Sequence, residues 1–180
     1  VEDGIGIVTM NFLKNLNAID EQMADELMYI VDKAEKDPNV KVLVIKSAGK
    51  AFSAGGDIGY FYKLIQAGGE VNMDGLIAKV GVVADGLKKM SKMVITSVSG
   101  AAAGAGVSLA LGGDFMICAE DAKFLLAFVN LGLVPDTGVT YLLSKAIGTS
   151  RTMELAATGR PMGAEEAKEL GLAYKVVPVE

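Results

Sequence analysis

The sequence predicts an α/β fold built from repeated strand–helix units, on three observations. Short, β-branched, nearly uninterrupted apolar runs recur as VKVLVIKS (40–47), MVITSV (93–98) and DFMICA (114–119), a pattern that suits buried strands. Between them lie segments whose apolar residues fall at three- and four-residue steps, the period of an amphipathic helix. Turns of Gly, Ala and Ser follow two of these strands, and no linker of biased composition or internal repeat divides the chain. One domain therefore accounts for residues 1–180.

Taken in order, GIGIVTM (4–10) reads as the first strand. Asp20 is placed to cap a helix whose apolar face is Met23, Leu27, Ile30, Val31 and Ala34. Asp37-Pro38-Asn39 ends that helix, because proline disfavours helical backbone in the residue before it. The strand at 40–47 opens into a loop, GKAFSAGGD (49–57), then an aromatic helix, DIGYFYKLIQ, which Gly68-Gly69 break. A second helix fills about 75–91. The unit repeats as strand 93–98, small-residue turn SGAAAGAG (99–106), short helix VSLALGG and strand 114–119. After KFLLAF (123–128) and NLGLVPDTG, a helix runs from about Thr137 to Ile147. Two short helices near 150–158 and 164–170 and a strand in AYKVVPV complete the pattern.

Composition narrows the chemistry. Half the residues are hydrophobic (51%) and 22% are charged, which describes a packed globular protein. The net charge is −5 and no Lys/Arg block or basic–aromatic weave occurs, which argues against nucleic acid. A few local lysines can still hold the phosphates of a small anionic ligand. The single Cys, Cys118, cannot form an internal disulfide and reads as a small buried hydrophobe. With no His, the Ser–His–Asp and Cys–His arrangements and the commonest zinc sites are excluded, and no metal is expected. Residues 93–113 carry no charge and reach membrane-spanning length, yet five Gly and four Ser/Thr make strand, turn and helix the better reading. No secretory signal is visible, and cytoplasm is the default location. The chain starts at Val1 close to a strand and stops just after one, and so reads as an excerpt of a longer protein.

Two features carry candidate chemistry. The turns FSAGGD (52–57) and SGAAAGAG (99–106) each follow a strand, consist of residues with almost no side chain, and precede a helix. Converging turns of this kind could aim two N–H groups at one oxygen; equally, they could serve only close strand–helix packing. Asp136 stands in NLGLVPDTGVTYLL, with no Lys, Arg or Glu from Asn130 through Ser144. Its residue type before Thr-Gly suits a helix cap or turn. Burial beside Phe128, Leu133 and Val134 would instead raise its pKa toward the range useful for proton transfer.

KAFSAGGD, SGAAAGAGVSLALGGDFMICAEDAKF, LGLVPDTG and LAATGRPMGAEEAKELGLAYKVVP, in this order from about Ile7 to Val179, resemble the crotonase (enoyl-CoA hydratase/isomerase) superfamily. The resemblance implies a spiral of repeated ββα units. It also implies a C-terminal helical segment, missing here, that builds homotrimers or hexamers. By resemblance the oxyanion-hole donors are the N–H groups of Gly56 and Ala105, and Ala54 offers a carbonyl to the adenine of coenzyme A. Lys50 stands near the CoA phosphates. The two glutamates of hydratases are replaced by Ser108 and Phe128, which remain at the substrate site. Phe cannot move a proton and an unassisted Ser is a poor base, so hydration of the usual kind is not expected. A carboxylate at LVPD marks the allylic isomerases of the superfamily, and Asp136 is the implied base. Many relatives have a second Gly where this chain has Val139, a β-branched residue that resists positive φ. The implied substrate is an acyl-CoA or acyl-carrier-protein thioester, with coenzyme A part of the substrate and no prosthetic group. No membrane partner is expected. Two alternatives stand beside a double-bond isomerase: hydration by an atypical route, and a non-catalytic acyl-CoA-binding relative.

Overall fold

Nine strands and seven α-helices alternate among the residues described by the computed structural model, 1–68 and 73–179. Five strands form a parallel sheet: β1 (Ile5–Met10), β2 (Val42–Ser47), β4 (Met93–Val98), β6 (Phe115–Ala119) and β9 (Lys175–Val177), in the order β1-β2-β4-β6-β9. Four three-residue strands form a second sheet: β3 (Ala51–Ser53), β5 (Ala101–Ala103), β7 (Lys123–Leu125) and β8 (Pro161–Gly163), with only β7 and β8 antiparallel. Strands β2, β4 and β6 each lead through a short bend into their partner in the second sheet and then into helix, so the chain coils as ββα turns. This is the spiral of repeated ββα units that the resemblance implies.

The core lies on one face of the larger sheet. Along β2, β4 and β6, Leu43 pairs with Val94, Thr96 with Met116 and Val98 with Cys118, and all six are buried. Thr96 is tolerated there because its hydroxyl donates to the Ala110 carbonyl at 2.8 Å. The other face is only partly covered: burial alternates along β2, and Ile5 and Ile7 of the edge strand are exposed. The continuous apolar runs therefore do not mean burial on both faces.

Helix α1 (Glu21–Lys36) starts where expected, with the Asp20 carboxylate accepting from the Met23 N–H at 2.9 Å. It packs on α3 (Asp74–Lys89), where Lys79 bridges Glu21 and Asp25 at 2.6 and 2.7 Å. Helix α2 (Ile58–Gln66) is capped by Asp57. Of the Gly68-Gly69 break, Gly68 takes φ +73° and Gly69 lies outside the described residues. The segment 93–113 divides into β4, β5 and α4 (Ala105–Leu111). Among the described residues no helix is long and apolar enough to cross a membrane.

Three expectations need correction. The stretches 49–57 and 99–106 are not wholly loop and turn, since each contains a strand of the second sheet. Strand β8 has no counterpart in the sequence reading, because three residues are too few to show alternation. Helix α5 (Val139–Ile147) begins at Val139 rather than Thr137, for a reason that lies in the site itself. Helices α6 (Thr149–Thr158) and α7 (Ala164–Glu169) fall close to their predicted positions.

Candidate active site

Strands β3 and β5 are parallel neighbours, so the glycine turns that follow them emerge side by side. Contact between the turns depends on missing side chains. Gly55 has φ +85°, and a Cβ on it would lie 2.6 Å from the Ala103 carbonyl oxygen and 3.4 Å from the Ala105 nitrogen. A Cβ on Gly106 would come within 2.7 Å of the Ser53 carbonyl oxygen. The 2.6 and 2.7 Å approaches to carbonyl oxygens are too short for any other residue without backbone movement.

The amide directions follow from the pairing around them. Ile19 donates to the Gly55 carbonyl at 2.7 Å and accepts from the Asp57 N–H at 3.0 Å. In such a parallel bridge the residue between, Gly56, directs its own N–H to the opposite side. Ala105 is the first residue of α4, so its N–H has no acceptor within the helix. Among the described residues neither amide has a hydrogen-bond partner.

Gly56 and Ala105 line one cavity of about 360 Å³, together with Asp136, Thr137, Phe61 and Phe128. The rings press on the glycine backbones: Phe61 lies 3.1 Å from where a Cβ on Gly56 would be, and Phe128 3.7 Å from the same point on Gly104. Such contact excludes water from the amides, and with the aliphatic side chains it makes the cavity strongly apolar. A larger cavity of about 800 Å³ borders α3 and α5, but charged side chains such as Asp85, Lys88 and Asp114 line it and neither free amide reaches it.

Asp136 reaches the smaller cavity by an unusual backbone path. After β7 a 3₁₀ segment (Ala127–Leu131) ends at Gly132 with φ +69°. Thr137 and Gly138 then take φ +49° and +79° in succession, before Val139 and Leu143 anchor α5 in the core. That double left-handed step starts the helix at Val139 and makes Gly138 its cap residue, without side-chain capping. The capping role that the sequence permits for Asp136 is therefore not taken; its carbonyl, not its carboxylate, accepts from the Val139 N–H. The positive φ falls on Thr137 and Gly138, so Val139 is helical and fully buried and creates no misfit.

The Asp136 carboxyl is half-buried, and burial holds its pKa above the ordinary carboxylate value, opposed in part by the neighbouring Thr137 hydroxyl and its own main-chain N–H. No other ionisable side chain lines this cavity among the described residues. Ala54 and Phe128 also line it. Ser108 does not: it is fully buried, and its hydroxyl lies 2.6 Å from that of Thr137, which does line the cavity. Lys50 is exposed beside β3 and outside the cavity wall. Two contributors escape the sequence reading. Phe61 sits in an aromatic run with nothing to single it out, and Thr137 matters through a backbone angle that its residue type disfavours.

The family profile described as Enoyl-CoA hydratase/isomerase matches residues 1–180. The chain belongs to the enoyl-CoA hydratase/isomerase family. It is 36% identical over 180 residues to a trans-2-decenoyl-[acyl-carrier-protein] isomerase from Streptococcus mutans, covering 100% of this chain and 68% of that one. It is 37% identical to a 1,2-epoxyphenylacetyl-CoA isomerase from Escherichia coli, covering 100% and 69%. The crystal structure of an enoyl-CoA hydratase from Mycobacterium smegmatis superposes with a TM-score of 0.91 at 29% identity, covering 99% of this chain and 68% of that one. The protein is thus an enzyme of the crotonase superfamily, and both isomerases and hydratases stand among its relatives.

Proposed function

We propose that this enoyl-CoA hydratase/isomerase family member is an enoyl-thioester isomerase that shifts a double bond from C3 to C2. The carrying observation is that one carboxylate, Asp136, faces an apolar cavity into which two unpaired main-chain amides also open. In this reading the thioester carbonyl oxygen accepts from Gly56 and Ala105. Asp136 takes a proton from C2 of a 3-enoyl thioester, and the electron pair spreads over the diene to the carbonyl oxygen. The amides stabilise that dienolate oxygen, whose charge is larger than in the ground state. Asp136 then returns the proton to C4, leaving the double bond between C2 and C3. No water is consumed, and the apolar wall protects the dienolate from competing protonation.

Hydration would require one group to activate water and another to supply the α-proton. Phe128 can do neither, and Ser108 is fully buried against Thr137, outside the cavity wall. Ala54 is assigned to the adenine and Lys50 to the phosphates of a coenzyme A carrier, with an acyl-carrier protein as the other thioester donor. The name of the trans-2-decenoyl-[acyl-carrier-protein] isomerase agrees with this class, and the 1,2-epoxyphenylacetyl-CoA isomerase is by name also an isomerase of a CoA thioester.

Two substrates test the reading. Offered a 3-enoyl-CoA, the protein should generate the ultraviolet absorbance of a conjugated thioester; offered a 2-enoyl-CoA in water, it should not consume that absorbance by hydration. The reverse pattern would make it a hydratase, and binding of both without change would make it a carrier.

A further inference from the structure

The turn that carries the Gly56 amide is held along one edge by residues 16–19. The Ala54 N–H donates to the Leu16 carbonyl at 3.0 Å, the Ile19 N–H to the Gly55 carbonyl at 2.7 Å, and the Asp57 N–H to the Ile19 carbonyl at 3.0 Å. Ser53, fully buried, joins the same edge. Its hydroxyl donates to the Asn17 carbonyl at 2.8 Å and accepts the Gly55 N–H at 3.2 Å. Both directions are fixed by chemistry, since a carbonyl only accepts and an N–H only donates. Along its other edge the turn meets residues 103–105 so closely that no Cβ fits on Gly55. Residues 16–19 therefore set where the Gly56 amide stands relative to that of Ala105.

That segment has a backbone it would not keep alone. Leu16 and Asn17 take φ +57° and +55° in succession, a left-handed step disfavoured outside glycine and tolerated best by Asn and Asp. Asn17 is 1% exposed, and its side chain is satisfied at both ends. Its Oδ1 accepts from the Phe12 N–H at 2.7 Å, and its Nδ2 donates to the carbonyls of Ala48 at 3.2 Å and Ala51 at 3.1 Å. These partners also settle which end of the side-chain amide is which. Ala48 and Ala51 flank the bend from β2 into β3, so one side chain ties that bend to the segment gripping the turn.

We propose that Asn17 and Ser53 are positioning residues for the oxyanion hole, a buried amide and hydroxyl that fix the Gly56 N–H against the Ala105 N–H. Their role rests on the reading above, in which these two amides grip the thioester oxygen. Neither side chain lines the cavity, so neither meets substrate. Donors stabilise developing charge only if they already stand where it develops. Loosening the turn should therefore cost rate more than binding.

The test pairs Ser53→Ala, which removes one hydroxyl, with Asn17→Ala and with Leu27→Ala, a core truncation in α1. Each protein is bound to hexanoyl-CoA carrying ¹³C at the thioester carbonyl, a saturated analogue with no double bond to shift. Isotope-edited infrared difference spectra then read the carbonyl stretch. In the parent the band should lie below its free-solution frequency, and in Ser53→Ala and Asn17→Ala it should move back toward that frequency. With a 3-enoyl-CoA, kcat should fall roughly tenfold in both and KM should change little, less than the roughly 10²–10³ of losing a donor outright. Leu27→Ala, destabilised but with its turn intact, should keep the parental band and kcat. If Asn17→Ala does not fold, Ser53→Ala decides. A parental band and kcat in Ser53→Ala overturns the positioning role, and so does a band that moves as far in Leu27→Ala. If the band behaves as described but the parent isomerises nothing, the positioning role stands and the isomerase reading falls. A parent band at the free-solution frequency overturns the amides' grip on the carbonyl and this role with it.

Discussion

Asp136 shows how much a local sequence can say about one side chain. Its apolar neighbours indicate desolvation only in part: Phe128 and Leu133 line the cavity, whereas Val134 is 80% exposed and lies outside its wall. Its helix-capping alternative fails on something those neighbours do not encode, the left-handed step at Thr137 and Gly138. Tertiary packing accompanies that step, with Val139 and Leu143 buried directly after it and Thr137 held against Ser108. Burial keeps the carboxyl protonated to higher pH than in an unfolded chain. If it is the base, activity should be lost as pH falls through a pKa above the ordinary carboxylate range, read as the acid limb of kcat/KM. The same shift has a stability consequence with a definite sign. As pH rises from the unfolded-state pKa through the higher folded-state pKa, the unfolded chain has already released a proton that the folded one retains, so stability declines and stays lowered above that window. Asp136→Asn should therefore melt at higher temperature than the parent at neutral pH, with the advantage fading in acid. Scanning calorimetry across pH checks this, and a variant less stable at neutral pH would speak against a strained, desolvated carboxylate.

At the scale of elements, the small-residue turns were legible as a pair, but their contact was not. Strands β3, β5, β7 and β8 are three residues each, too short to carry a periodic pattern, and it is their pairing that brings the turns together. The glycines make that pairing testable. At Gly100, φ is +64° and a Cβ would overlap the Lys50 carbonyl. Gly100→Ala should destabilise by roughly 2–4 kcal/mol, from left-handed strain and overpacking together. If the Gly56 and Ala105 amides bind the thioester oxygen as proposed, displacing the two turns should lower kcat as well. Leu143 is 1% exposed and anchors α5 behind Asp136. Leu143→Ala should cost about 2–5 kcal/mol in denaturant unfolding, as core truncations do, and loosen the carboxylate's support. The helices themselves were read to within a few residues, because caps such as Asp20 and breakers such as Pro38 act locally.

For the whole molecule, alternation of strands and helices and the order of four motifs were enough to indicate the spiral. The division into two sheets is not legible in the sequence, since nothing in a strand's residues says which sheet it joins. Strand β4 is central in the larger sheet, and β1 and β9 lie at its edges. Native-state amide exchange should accordingly be slowest in β2 and β4 and faster at the edges. The same architecture delivers amides from two ββα turns and a carboxylate from a third to one cavity. That convergence is the basis of the functional account, and it is tested most directly by single-turnover conjugation of a 3-enoyl-CoA carrying deuterium at C2. The parent protein should deliver deuterium to C4, and Asp136→Asn should form the conjugated thioester roughly 10²–10⁴-fold more slowly. A folded Asp136→Asn protein that conjugates the substrate at the parental rate would contradict the account.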